Sequence, residues 1–256
     1  CIELGADDYV TKPFDKTILE ARISACIEKK HLRDKEKELL EEIRKEKDKS
    51  DRLLLNILPK NIATRLKGGE SLIADKHNKV SILFADIVEF TPQSKKLNPT
   101  ELVSMLNTIF SDFDDLSIEF GVEKIKTIGD NYFAVSGLDK DSKSSTVNLI
   151  NMALKMLQSI IRINKESNLM ELGIRIGIHS GPVVAGVIGK NKFAYDLWGS
   201  TVNMASRMES TGTKNKIQIS EKTYKLVKES FKFEKRENVD LKGIGLADTY
   251  YVIGGK

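Results

Sequence analysis

The sequence predicts an α+β domain, a sheet with helices packed on one face, preceded by a long helical segment. Three observations predict it. Val80–Ala85 alternates like a strand and ends on Asp86. Two long amphipathic stretches follow, Pro99–Phe120 and Ser145–Ile163. Each precedes two short strand-like runs around a turn containing Gly or Pro. Strand, helix, two strands, helix, two strands is the order of a sheet covered by helices.

Composition divides the chain into residues 1–28, 29–70 and 71–256. The first zone holds GADDYVTKPFD and an amphipathic stretch, Lys16 to Ile27, with Ile18, Leu19, Ile23 and Ile27 at helical spacing. The second is dense in Lys and Glu and has no Gly before Gly68. A heptad threads through Leu32, Leu39 and Leu53 at one position and Ile43 and Ile57 at the other, with Glu36, Glu46 and Ser50 as interruptions. That pattern suits a parallel two-stranded coil that yields easily. Pro59 breaks the helix, Ile62 and Leu66 resume it, and Gly68-Gly69 closes it. In the third zone Glu123–Ile128 and Tyr132–Val135 read as a hairpin around Gly129-Asp130. Leu172–Ile178 and Val183–Val187 read as a second around Ser180-Gly181-Pro182.

With 40% hydrophobic and 30% charged residues in 256, the balance is that of a globular protein. A net charge of +4 is too mild for a nucleic-acid surface. Two cysteines, Cys1 and Cys26, make neither a disulfide framework nor a metal cluster, so a cytoplasmic setting is expected. No apolar run nears the roughly 18–20 residues that span a bilayer. The chain starts mid-pattern without Met and reads as a piece of a longer protein.

Asp86 ends the first strand and Asp130 sits in the next hairpin turn, so a sheet placing these elements side by side brings two carboxylates together. Such a pair is costly unless hard cations such as Mg²⁺ lie between them. Arg175 stands in an apolar strand, where an unpaired guanidinium is also costly. His179 has no partner motif and reads as structural, and GIG at Gly243–Gly245 is too short for a dinucleotide site.

FADIVEFT, EKIKTIGDNY, GIRIGIHSGPVVAGVIG and YDLWGSTVNMASRMES, in that order, resemble the catalytic domain of class III nucleotidyl cyclases, the adenylate and guanylate cyclases. The likeness runs from Leu53 to the C-terminus and includes LLLNILPKNIATRL, which the family uses to couple an upstream coil to the catalytic dimer. It implies a ferredoxin-like βαββαβ-type domain. It also implies two Mg²⁺ or Mn²⁺ ions on Asp86, Asp130 and the Ile87 carbonyl. Amides from Ile87 through Val88, Glu89 and Phe90 to Thr91 would cradle the phosphates, with Arg175 and Lys242 also contacting them. Asn203 would orient the ribose, and Arg207, one helical turn on, would stabilise charge on the α-phosphate. Many members carry Gly where Glu89 stands.

The resemblance puts base reading on Lys126 and Asp196. A lysine donor and an aspartate acceptor match N1 and N6 of adenine, so ATP is the expected substrate and cyclic AMP with pyrophosphate the products. In this family the metal acids and the base, ribose and transition-state residues of one site come from different subunits. This chain carries both sets, so a homodimer with two shared sites is implied. GADDYVTKPF resembles the end of a response-regulator receiver domain, in which Lys12 contacts the phosphorylated aspartate and a cis bond precedes Pro13. A cyclase regulated by an upstream histidine kinase is the expected arrangement. The alternatives are a guanylate cyclase and an inactive cyclase-like dimerisation module; a P-loop enzyme is excluded by the lack of GxxxxGK[ST].

Overall fold

The computed structural model describes residues 12–13, 15–88, 90, 97–138, 142–166, 172–189 and 192–256. Most of GADDYVTKPFD lies outside them, and the Lys12–Pro13 bond is cis. The chain divides into two units, Cys1–Glu70 and Ser71–Lys256.

The described part of the first unit is mainly helical. Helix α1 (Lys16–Leu55) is capped by Asp15, whose carboxylate accepts from the amides of Thr17 and Ile18 at 2.7 and 3.2 Å. With neither Gly nor Pro inside it, α1 runs unbroken through residues 28 and 29, where the composition shifts. None of its residues is buried, and Leu32, Leu39, Ile43 and Leu53 are exposed. Ile57, given a seam position from sequence, lies past the helix end. Helix α2 (Lys60–Lys67) starts after Pro59 and ends at Gly68, with Gly69 at φ 85°. No helix among the described residues is long and apolar enough to cross a membrane.

The second unit is a mixed α+β domain. Its elements are β1 (Ala74–Ile87), α3 (Pro99–Phe120), β2 (Glu123–Ile128), β3 (Asn131–Ser136), α4 (Ser142–Glu166) and β4 (Ile174–Ile188). They continue with β5 (Ala194–Trp198), α5 (Ser200–Ser210), β6 (Ile217–Ser220), α6 (Glu221–Val227), β7 (Phe231–Leu241) and β8 (Gly245–Gly255). The sheet order is β2-β3-β1-β4-β6-β8-β7, with β5 on β4, and every pairing is antiparallel except β4–β6. Strand β3 returns between β1 and β2, and β4 lies on the other side of β1. Asp86 is therefore flanked by a residue of β3 and a residue of β4.

Local signals explain the helix that follows β1. Asn98 accepts from the Glu101 amide while Glu101 reaches back to the Asn98 amide, Pro99 occupies the first turn, and Gly121 closes α3 at φ 62°. Helices α3 and α4 cover one face, where Ile109, Phe113, Leu149, Ala153 and Met156 pack with Leu83, Ala85 and Ile87. On the other face Ile82 and Phe84 pack with Phe133 and Ala205, the last from α5. Both faces are thus covered, not one as the sequence suggested. Fully two-sided burial is why SILFA is continuously apolar after its first residue.

The expected second hairpin is instead one strand. β4 pairs with β1 from Ile87↔Ile174 to Ala74↔Gly186 without turning. Pro182, which lacks an amide hydrogen, falls where the register shifts between His77 and Val80, so its missing donor leaves no ladder bond unmade. The glycines of GIHSG serve packing. A Cβ at Gly177 would lie 1.9 Å from the Glu209 nitrogen, and one at Gly181 would lie 2.5 Å from Thr201 Oγ1, so α5 rests directly on β4. Gly177→Ala is expected to lift α5 and cost about 1–3 kcal/mol, roughly 3–10 °C in thermal midpoint. An unchanged midpoint would contradict this seating.

Candidate active site

Asp86, near the end of β1, sits in register between Asn131 of β3 and Arg175 of β4. Asp130 occupies the β2–β3 turn, after Gly129 at φ 64°. Arg175 answers two acids: Nη2 donates to Asp86 Oδ2 at 2.9 Å and Nε donates to Glu209 Oε1 at 3.0 Å. Glu209, on α5, is only 6% exposed.

The electrostatics are unbalanced. Burial, then the charge of Asp130, pushes the Asp86 carboxyl above its usual range, and Arg175 offsets this only in part. Glu209 is pushed up to about 7 by burial, then by Asp86. Asp86 and Glu209 divide one guanidinium while Asp130 adds its charge nearby, so negative charge exceeds positive when all are ionised. Such a site takes up protons or cations. Asn131 adds an unmet oxygen: its side chain hydrogen-bonds Asp86, yet Oδ1 is buried without a hydrogen-bond partner among the described residues.

These donors suit a hard divalent cation. They are oxygens in excess negative charge, and among the described residues no group of three or more His, Cys, Asp or Glu is placed to hold a metal ion by itself. An ion that keeps several waters and shares substrate phosphates needs only one or two protein carboxylates, which is the habit of Mg²⁺.

Of the phosphate cradle expected at Ile87–Thr91, Ile87, Val88 and Phe90 are among the described residues. The Val88 amide donates to the Gly173 carbonyl at 2.8 Å, extending the β1–β4 ladder, and is not free for a phosphate. Phe90 packs against the main core. Glu89 and Thr91 lie outside the described residues.

Lys126 on β2 and Asp196 on β5 form a second set, with Lys126 Nζ donating to Asp196 Oδ2. The other carboxylate oxygen of Asp196 accepts from the Leu197 amide at 2.9 Å, which fixes the side chain. Asn203 and Arg207 lie one turn apart on α5; Asn203 is exposed and Arg207 half-buried. Lys242 is exposed in the β7–β8 turn. Within one chain no hydrogen bond among the described residues joins the Asp86 set to Lys126, Asn203, Arg207 or Lys242.

Sequence reading missed Glu209 and Asn131. The signal for Glu209 is its place on α5, where the buried residues are Thr201, Ala205, Met208 and Glu209. A carboxylate on the core side of an amphipathic helix demands a partner. His179 sits outside this site: Nδ1 is 2.6 Å from Ser220 Oγ, and burial, then Lys222, pushes its pKa down to about 4, so it is neutral near pH 7.

Residues 72–254 match the family described as the adenylate and guanylate cyclase catalytic domain. An adenylate cyclase of Mycobacterium tuberculosis is 42% identical over 212 residues, covering 82% of this chain and 48% of that protein. A membrane guanylyl cyclase of Dictyostelium discoideum is 44% identical over 193 residues, 75% of this chain and 13% of that protein. The chain thus spans about half or less of the length of these curated relatives. Among solved structures, the guanylate cyclase domain of RhGC from Catenaria anguillulae in complex with GTP superimposes with a TM-score of 0.67 at 34% identity, over 71% of this chain and 100% of that one. This chain therefore belongs to the adenylate and guanylate cyclase catalytic domain family.

Proposed function

We propose that the domain converts ATP to 3′,5′-cyclic AMP and pyrophosphate, at two equivalent sites shared between two copies of the chain. The observation that carries this reading is the charge imbalance around Asp86, Asp130 and Glu209, with the single guanidinium of Arg175. It is a site short of positive charge.

Asp86 and Asp130, with the Ile87 carbonyl, would hold two Mg²⁺ or Mn²⁺ ions. When bound, these would neutralise the triphosphate and make the ribose 3′-hydroxyl more acidic. Arg175 has N–H groups beyond the two donated here and turns them to the β-phosphate. The partner copy's residue equivalent to Lys242, exposed in its turn, reaches the terminal phosphates. From the partner copy come the residues equivalent to Asn203, which orients the ribose, and Arg207, which meets charge gathering on the α-phosphate. The 3′-oxygen forms its bond to the α-phosphorus as the bond to the bridging oxygen breaks, and pyrophosphate leaves with that electron pair. The hydroxyl proton passes to solvent.

Base choice follows from hydrogen bonding. Without a base, Lys126 and Asp196 satisfy each other. Adenine separates them and gives each a complement, acceptor N1 for the lysine and the N6 amino group for the aspartate. Guanine offers a donor at N1 and an acceptor at O6, leaving groups mismatched at about 1–3 kcal/mol each. The Dictyostelium relative favours GTP as the second reading. Assay of both cyclic products with Mn²⁺ decides: cyclic AMP is expected to dominate, and preference for GTP would reverse the assignment. Lys126→Glu with Asp196→Cys is expected to move the GTP-to-ATP ratio upward by at least about tenfold. An unmoved ratio would remove these two side chains from base reading.

Upstream, exposed Leu32, Leu39, Ile43 and Leu53 on α1 suit pairing with the same helix of a second copy. A receiver domain before α1, phosphorylated by a histidine kinase, would set that pairing and so the alignment of the half-sites. The expected setting is the cytoplasm. Equal full-length activity with and without acetyl phosphate would refute this regulation.

A further inference from the structure

We propose that Glu209 is a positioning residue that holds Arg175 by its Nε, so that the guanidinium releases Asp86 to a divalent cation rather than competing with it. The proposal rests on the metal reading above and goes beyond it, because Glu209 touches neither nucleotide nor ion in that scheme.

The geometry favours Glu209 as the fixed end of the bridge. Its backbone lies so close to β4 that Gly177 has no room for a Cβ. The preceding carbonyl, of Met208, accepts from Gln218 Nε2 at 2.9 Å, which pins this turn of α5 from a second direction. Its carboxylate is almost fully buried, so water offers it no substitute for Arg175. Asp86 is the more solvated end, its side chain 21% exposed against 8% for Glu209.

Arg175 is therefore tethered through Nε to an acid that cannot move away, and its terminal nitrogens face the acid that binds the ion. Sharing its charge with Glu209 weakens its grip on Asp86. Remove Glu209, and one carboxylate, Asp86, receives the whole guanidinium in the two-pronged geometry that arginine and carboxylate favour. A divalent cation would then have to displace a stronger pair.

The test is a double-mutant cycle on Mn²⁺ binding, read from the free-ion electron paramagnetic resonance signal in the full chain without nucleotide. The four proteins are the unaltered chain, Glu209→Gln, Arg175→Ala and the double variant, with Glu209→Ala run in parallel. Simple through-space attractions are additive and cancel in the cycle, so the coupling reports the Arg175 shift. Loss of Glu209 is expected to weaken Mn²⁺ binding about tenfold when Arg175 is present and less than about twofold when it is absent.

A second readout follows the ¹⁵N-labelled Nε–H of Arg175 during Mg²⁺ titration. Its signal is expected to stay protected from exchange in the unaltered chain, because the Glu209 bond persists, and to lose protection in Glu209→Ala. Equal losses of Mn²⁺ affinity in both backgrounds, or release of Nε–H when Mg²⁺ binds, would overturn the proposal. An unaltered chain that binds no more Mn²⁺ than Asp86→Ala would instead remove the metal reading itself, and the proposal with it.

Discussion

Asp130→Asn is expected to lower cyclase turnover by at least about a thousandfold while raising the thermal midpoint of the metal-free chain. The two effects share one cause. Asp130 adds negative charge next to a half-buried Asp86 whose carboxyl that charge already pushes upward. In the free protein this repulsion is a cost, and an amide of the same shape removes it, for a gain of roughly 2–4 °C. In the loaded protein the same charge would hold the cation. Mn²⁺ should therefore raise the midpoint of the unaltered chain and leave that of Asp130→Asn unmoved. If the variant melts lower and still responds to Mn²⁺, Asp130 does not belong to the cation site.

A mixture of Asp86→Ala and Arg207→Ala chains is expected to recover activity that neither has alone. Each variant by itself should fall at least about a hundredfold, since one lacks the acid and the other the arginine that meets transition-state charge. In a mixed pair one site combines both lesions and the other has neither. With random pairing half of the dimers are mixed and each has one intact site of two, so recovery approaches about a quarter of unaltered activity. Absence of recovery, with mixed pairs demonstrated by differential tagging, would place the complete site within one chain. This outcome is expected because the proposed site takes Asp86 and Asp130 from one copy and Asn203, Arg207 and Lys242 from the other.

The elements between Pro99 and Ser136 were legible because their signals are local. Pro99–Phe120 carries its own caps, and Glu123–Ile128 is bounded by Gly121 and Gly129. The run from Gly173 to Ile188 was misread because Gly-Pro is a turn signal when only neighbours in sequence are considered. Here its backbone is instead straightened by a long partner strand and by the bulge opposite Pro182. The strands after Ile188 are not legible in the sequence: β6 has only four residues and β7 is dominated by charged ones, so neither shows an apolar period of useful length.

The site divides in the same way. Asp86 and Asp130 could be paired from sequence because strand order puts them on neighbouring elements. Arg175 stood out because a guanidinium in an apolar strand needs a charged partner. Glu209 did not, since its partner lies 34 residues away in sequence and only the packing of α5 on Gly177 brings them together. The engagement of the Val88 amide by Gly173 is likewise a tertiary event, with no trace in FADIVEFT.

The central claim is that ATP is cyclised where the acids of one copy meet the arginine and lysine of another. The rate of cyclic AMP formation per chain, measured with Mn²⁺ across a range of chain concentrations, tests it most directly. The account predicts a rate that rises from near zero in dilute solution to a plateau as copies pair. A per-chain rate independent of concentration down to where single chains prevail, or no cyclic AMP at any concentration, would contradict it.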